Sequence, residues 1–133
     1  IANIVLADGS ATPANKTFVP SQPQTGDKPA TWYEKSSDSP LGYRRITLSV
    51  IAKTTGVSKV RVQISDPILA SFGANCCVDT NTPVVSYTDI FDATFSLPAS
   101  SKVANRKDIL AFAKNMLAHQ VMTDAVVELV PAW

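Results

Sequence analysis

The chain has 133 residues, of which 45% are hydrophobic and 17% charged, and its formal net charge is +1. This size and composition predict one domain, residues 1–133, whose core needs neither disulfides nor metal. The two cysteines are adjacent and there is a single histidine, His119, so no zinc site and no cofactor is expected. No apolar run approaches the ~18 residues that span a bilayer and no signal segment is apparent, so we expect a soluble, unsecreted protein with no membrane partner.

The first forty residues are typical of short strands separated by turns. "IANIVLADGSATPANKTFVPS" predicts an N-terminal hairpin whose second strand lies around Lys16 to Val19. A connection rich in Pro, Gly and Gln follows over residues 21–29, then a brief strand at "ATWYEK" and a turn at "SSDSPLG".

Residues 44–65, "RRITLSVIAKTTGVSKVRVQIS", predict a long hairpin with its turn at residues 54–57. Successive side chains of a strand point to opposite sides of the sheet. Even positions carry the apolar set, Ile46, Leu48, Val50, Ala52, Val60, Val62 and Ile64, whereas odd positions carry mostly Arg, Lys, Thr, Ser and Gln. One face is therefore expected in the core and the other in solvent.

Positive charge is concentrated on this hairpin. Residues 43–66 hold five bases against Asp66, a local charge of +4, so the rest of the chain sums to −3. Such a patch fits a polyanion partner, but an exposed strand face also needs charge for solubility and edge protection.

A connection of about twenty residues, "DPILASFGANCCVDTNTPVV", comes next. Connections of this length inside a domain are usually functional or disordered, and we interpret this one as functional. "YTDIFDATFSLP" then restores the alternation, with Phe91, Ala93, Phe95 and Leu97 on one side.

Beyond Pro98 the period becomes helical. The apolar stripe of the first helix consists of Ile109, Leu110, Phe112, Ala113, Met116 and Leu117. Asn105 and Asp108 resemble a capping box at its start. "TDAVVELVPAW" predicts a second short helix, with Thr123 as its cap and Pro131 as its stop.

Strands followed by helices indicate an α+β fold: an antiparallel β-sheet with an N-terminal hairpin and two C-terminal α-helices on one face. About eleven apolar side chains on three long strands would face only one long and one short helix. We therefore infer that the cover of the sheet is shared between two chains.

The order of several strings resembles the coat proteins of the single-stranded RNA bacteriophages, the leviviruses. These strings are "IVLADGSATPANKTFVPS", "ATWYEKSSDSP", "YRRITLSV", "KVRVQISDP", "DATFSLP" and "DILAFAKNMLAHQ". The resemblance implies an interlocked homodimer that assembles, in the bacterial host cytoplasm, into an icosahedral T=3 capsid around the genome. The implied partners are the chain itself, viral single-stranded RNA and a phage maturation protein. Binding of an RNA hairpin would repress replicase translation.

The resemblance also implies site residues. Thr47 and Ser49 match a family pocket for an unpaired adenine, and Lys59 matches a phosphate contact. The implied RNA-binding set is Arg45, Thr47, Ser49, Lys53, Lys59, Arg61, Gln63, Asp92 and Thr94. Ile90 stands where the family has a stacking tyrosine, and Tyr87 would need a bulge to reach that face. The implied dimer contacts are Ile109, Phe112, Met116 and Leu117.

Cys76 and Cys77 lie in the long loop, where some members carry cysteines that link neighbouring subunits. Adjacent cysteines bridge each other poorly, so disulfides between subunits, or two reduced thiols, are both open.

Two other functions compete. An enzyme would need Cys76 or Cys77 as nucleophile and His119 as base, but nothing in the sequence holds them together, so no enzyme is expected. A β-rich extracellular adhesion or pilus-type module is the remaining alternative.

Overall fold

The computed structural model describes residues 1–70 and 83–131, which form a six-stranded antiparallel sheet followed by two α-helices. The elements are β1 Ile4–Ala7, β2 Asn15–Gln22, β3 Ala30–Glu34, β4 Arg44–Ile51, β5 Val57–Leu69, β6 Val85–Pro98, α1 Val103–Leu117 and α2 Gln120–Val127, with a 3-10 turn at Pro40–Gly42. The strands lie side by side in chain order. The predicted α+β fold, with its N-terminal hairpin and C-terminal helices, is confirmed.

The central strands pair in the register that the alternation requires. Leu48 lies opposite Val62, and Val62 lies opposite Ala93, so the apolar positions of β4, β5 and β6 form continuous rows. Gly56 joins β4 to β5 with φ of 92°, a conformation that glycine adopts without steric cost.

The core of the single chain lies at the β2–β4 end of the sheet. Its buried members are Phe18, Ala30, Trp32 and Ile46, and Ile4, Leu48 and Ile64 pack against them. The indole Nε1 of Trp32 donates to the carbonyl oxygen of Ala2 at 3.0 Å. This bond satisfies the polar atom of a buried ring and ties the N-terminal segment to the core.

A charged network lies on the apolar side of this end. The buried Glu34 accepts hydrogen bonds from Ser36 and, at 3.0 Å, from Nη1 of Arg44. Nε of Arg44 also lies 2.9 Å from Oδ1 of Asp66. Burial would raise the pKa of Glu34, but the bonds from Ser36 and Arg44 outweigh it and lower that pKa. The carboxylates of Glu34 and Asp66 therefore neutralise the charge of Arg44. Arg44 is one of the five bases of the hairpin, but it adds no positive charge to the polar face.

Both predicted helix caps are wrong. Helix α1 begins after Lys102, which makes no side-chain cap bond, so Asn105 lies within the first turn and cannot form a capping box with Asp108. Helix α2 begins after His119, whose Nδ1 accepts from the amide of Val121 at 3.2 Å, and Thr123 lies inside the first turn.

The end of α2 also differs from the prediction. The helix ends at Val127, four residues before Pro131, because Leu129 takes the left-handed conformation with φ of 54°. Pro131 therefore follows the helix end without setting it.

The loop of the N-terminal hairpin is organised around Asp8. Its Oδ1 accepts from the amide of Ala14 at 2.9 Å, the hydroxyl of Ser10 at 2.7 Å and the amide of Ser10 at 3.3 Å. These bonds, chiefly the one from Ala14, lower the pKa of Asp8 to about 2. The loop is thus held by the ionised carboxylate.

We expect the order of this loop to depend on pH. Because the pKa of Asp8 lies at about 2 in the folded chain, against an ordinary 3.8, its contribution is complete above pH ~4 and is lost as the pH falls through about 2. Carbon-13 NMR of the Asp8 carboxyl should titrate at about 2, with the Ala14 amide shift following the same curve. The Ser10→Ala variant should titrate higher. A midpoint near 4 in the unmodified protein would contradict the assignment.

Candidate nucleic-acid interface

The polar face of the sheet carries an open groove of about 660 Å³. It is lined by Asp27, Pro29, Arg45, Thr47, Ser49, Ile51, Lys59, Arg61, Gln63, Asp92 and Thr94. Eight of the nine residues predicted to bind RNA are in this set. The exception is Lys53, which lies in the turn after β4, where its amide donates to the hydroxyl of Ser58 at 2.9 Å.

The register of three strands explains why these side chains meet. Thr47 on β4 lies opposite Gln63 on β5, and Gln63 lies opposite Asp92 on β6. One step along, Arg61 lies between Ser49 and Thr94. Positions of one parity on adjacent strands share one face, so the groove is a direct product of the alternation.

Arg61 and Asp92 form a bidentate ion pair in the groove. Nε of Arg61 donates to Oδ1 of Asp92 at 3.0 Å, and Nη2 donates to Oδ2. These hydrogen bonds raise the pKa of Arg61 and lower that of Asp92, so both groups stay charged. Between them the pair adds no net charge to the groove.

Arg45 and Lys59 provide the unpaired positive charge. Both are exposed, and across residues 1–70 and 83–131 no carboxylate lies within ion-pair distance of either. A phosphate that enters the groove therefore meets these two cations without displacing a protein partner.

The loop of residues 23–29 forms one wall of the groove and was not found from the sequence. The Gln24 amide pairs with the Val50 backbone: Nε2 donates to the carbonyl oxygen at 2.7 Å, and Oε1 accepts from the amide at 2.8 Å. Paired backbone bonds of 3.1 and 3.0 Å join Thr25 and Lys28 around Gly26, whose φ is 57°. This fixed turn brings Asp27 and Pro29 to the groove. The Thr-Gly-Asp sequence marks a turn, but nothing in it shows that the loop docks on β4.

No tyrosine of β6 reaches the groove. Tyr87 lies opposite Ile68, and the pairing from there to Pro98 is regular, so Tyr87 belongs to the apolar side. The bulge falls beyond Ile68 and does not change this parity. Ile90 is on the polar side and is 61% exposed.

A second surface is apolar. The four residues predicted as dimer contacts, Ile109, Phe112, Met116 and Leu117, are between 45% and 67% exposed, and no residue of α1 is buried. Ile109, Phe112 and Met116 line a cleft of about 480 Å³ beside Phe95 and Leu97 of β6. The apolar side of the sheet is also open, since Val50 is 44% exposed and Phe91 37%.

The model of the levivirus coat proteins matches the chain over residues 1–133. The chain belongs to this family.

Individual relatives support the assignment. The capsid protein of Pseudomonas phage PRR1 is 28% identical over 97% of this coat protein and 95% of its own length. The virus-like particle of bacteriophage NT-214 is 56% identical, with a TM-score of 0.95 and coverage of 100% and 98% of the two chains. That of bacteriophage ESE058 is 31% identical, with a TM-score of 0.89 and coverage of 100% and 99%.

Family membership replaces the alternative functions. The family consists of structural capsid proteins and not of enzymes. A capsid protein is also not an adhesion or pilus-type module, so the assignment replaces both alternatives. His119 of the coat protein caps a helix, whereas Cys76 and Cys77 lie outside the described residues. In the described part of the chain no helix reaches the length and hydropathy of a membrane span, and no three His, Cys, Asp or Glu residues cluster as metal ligands.

We expect Gln24→Ala to loosen the groove wall of the coat protein. The change removes two hydrogen bonds, each with a net contribution of roughly 1 kcal/mol, so the Val50 amide should exchange roughly 5- to 30-fold faster. Hydrogen exchange followed by NMR measures this directly. Gln120→Ala, which removes a remote side-chain bond to Asp124, is the matched control. Unchanged exchange at Val50 would mean that Gln24 does not hold the loop.

Proposed function

We propose that this coat protein forms a homodimer, assembles into an icosahedral T=3 shell in the bacterial host cytoplasm, and packages viral single-stranded RNA against the groove. The observation that carries the proposal is the two-sided sheet. One side presents unpaired cations and hydroxyl groups, and the other presents apolar side chains that a single chain leaves open.

The exposed apolar surface supports a second copy as the partner. Burying a large apolar side chain completely contributes about 1.5–3 kcal/mol, so covering the α1 stripe and the central sheet together supplies a strong drive to associate. The stripe consists of Ile109, Phe112, Met116 and Leu117. An interlocked dimer, in which each α1 packs over the other chain's sheet, buries both surfaces at once.

The free edge of β6 supports the same partner. This strand has 14 residues, and its outer edge has no neighbour among the described strands. An exposed edge of that length is a template for pairing. A second β6 running antiparallel would satisfy its backbone groups and join two sheets into one, with the two grooves on the same side.

The groove supports RNA as the other partner. Arg45 and Lys59 can neutralise phosphates, and the hydroxyls of Thr47 and Ser49 can bond to a base, such as the unpaired adenine that the family resemblance implies. Binding of a genomic hairpin, repression of replicase translation and contact with a maturation protein complete the proposal, and they rest on that resemblance.

Phe112→Asp should prevent assembly. In the proposed dimer this side chain is covered, so the variant would bury an unpaired charge at a cost of several kcal/mol. Light scattering and electron microscopy should find no shells and no stable dimer. Asn115→Asp adds the same charge to α1 away from the stripe and should assemble normally. A folded, dimeric Phe112→Asp protein would refute the proposed packing of α1.

The double variant Arg45→Glu with Lys59→Glu should assemble but package less RNA. Each phosphate contact to a single strand contributes about 0.7 to the slope of log affinity against log salt, so the slope should fall by about 1.4. The ratio of absorbance at 260 and 280 nm reports the RNA content of particles. Lys35→Glu with Lys102→Glu, an equal charge change outside the groove, should package normally. Equal RNA content in both double variants would show that the groove does not contact the packaged RNA.

A further inference from the structure

Arg61 differs from the other cations of the groove because its charge is already satisfied. Asp92 accepts two of its donors in the fork-to-fork arrangement that fixes a guanidinium in one plane. A phosphate would have to approach this plane against the adjacent carboxylate. The ion pair therefore makes Arg61 a poor phosphate contact.

The same ion pair holds the planar guanidinium of Arg61 in one orientation, in which a flat ring could stack on it. Its side chain is 59% exposed, and the residues directly opposite it on the two neighbouring strands are Ser49 and Thr94. Both neighbours are small and Arg61 lines the groove, so neither neighbour has the bulk to cover the guanidinium. No aromatic ring is among the residues that line this groove in the described part of the chain.

Unpaired RNA bases stack on aromatic rings or on arginine planes. We propose that Arg61 is a stacking platform for an unpaired base and not a phosphate contact. The Asp92 carboxylate fixes the plane of its guanidinium, and the inference rests on the proposed function, which brings RNA to this face. Purines present the larger stacking face, so the platform favours adenine or guanine over uracil. Lys59 and Arg45 supply the phosphate contacts beside it.

The test compares oligoadenylate with oligouridylate of about twelve nucleotides, bound to the full-length protein below its assembly concentration. The two RNAs have equal phosphates and differ in stacking. Arg61→Lys keeps the charge and removes the plane. It should weaken oligoadenylate binding roughly 5- to 150-fold, reduce the preference over oligouridylate, and leave the salt slope unchanged. Arg61→Gln should also reduce the purine preference, and because it leaves the Asp92 carboxylate unpaired it should weaken binding of both RNAs.

Two further variants separate stacking from charge. Lys59→Ala should lower the salt slope by about 0.7 and leave the purine preference intact. Asp92→Asn removes the carboxylate that neutralises Arg61 and holds its guanidinium in one plane. The salt slope should therefore rise while the purine preference falls. Circular dichroism and light scattering of each variant confirm that fold and association are retained.

The outcomes distinguish this inference from the proposed function. If Lys59→Ala changes the salt slope while Arg61→Lys keeps the full purine preference, stacking on Arg61 is overturned and the RNA face stands. If Arg61→Lys changes nothing but Arg61→Gln lowers the slope, Arg61 is a phosphate contact. If the unmodified protein binds neither RNA, both proposals fail.

Discussion

The register of β4, β5 and β6 is the constraint on which the rest of the molecule depends. Side chains alternate with a period of two, so a slip of one residue would move Leu48, Val62 and Ala93 to the polar side and Thr47 into the apolar layer. Such a slip would destroy both surfaces at once. One geometric rule therefore places the polar groove and the apolar surface on opposite sides of the sheet.

The two surfaces are coupled through the same strands. The buried core of the single chain is confined to the β2–β4 end, whereas the groove extends across β5 and β6, whose apolar side is only partly buried. In the proposed dimer that side is packed and the strands are rigid. RNA affinity would then depend on protein concentration, because association stabilises the state that presents the groove. In the proposed dimer, assembly and RNA binding would thus share one equilibrium.

Local pattern was sufficient to predict the strands, the helices and the parity of the groove residues, because each depends on neighbours close in sequence. The Arg61–Asp92 pair could not be predicted in the same way, since it depends on how β6 is aligned with β5, and the two residues are 31 positions apart in the sequence. The docking of Gln24 on Val50 is also a long-range contact. The caps failed for another reason: several residues near a helix start can serve as cap, and packing of the flanking chain selects among them.

The charge balance of the groove bears on the proposed selection of RNA by a nearly neutral chain. Arg45, Lys59 and Arg61 face Asp27 and Asp92, three bases against two carboxylates, so each groove has a formal charge of only +1. A strongly positive groove would bind any phosphate chain tightly and leave little to base contacts. A weakly positive one gains affinity when many copies act together on one long RNA. In the proposed complex, discrimination among bases would then rest on the hydroxyls of Thr47 and Ser49 and on the plane of Arg61. In the proposed complex the two carboxylates would therefore be part of the recognition surface, because they hold the general attraction for phosphate below the level at which base contacts cease to matter.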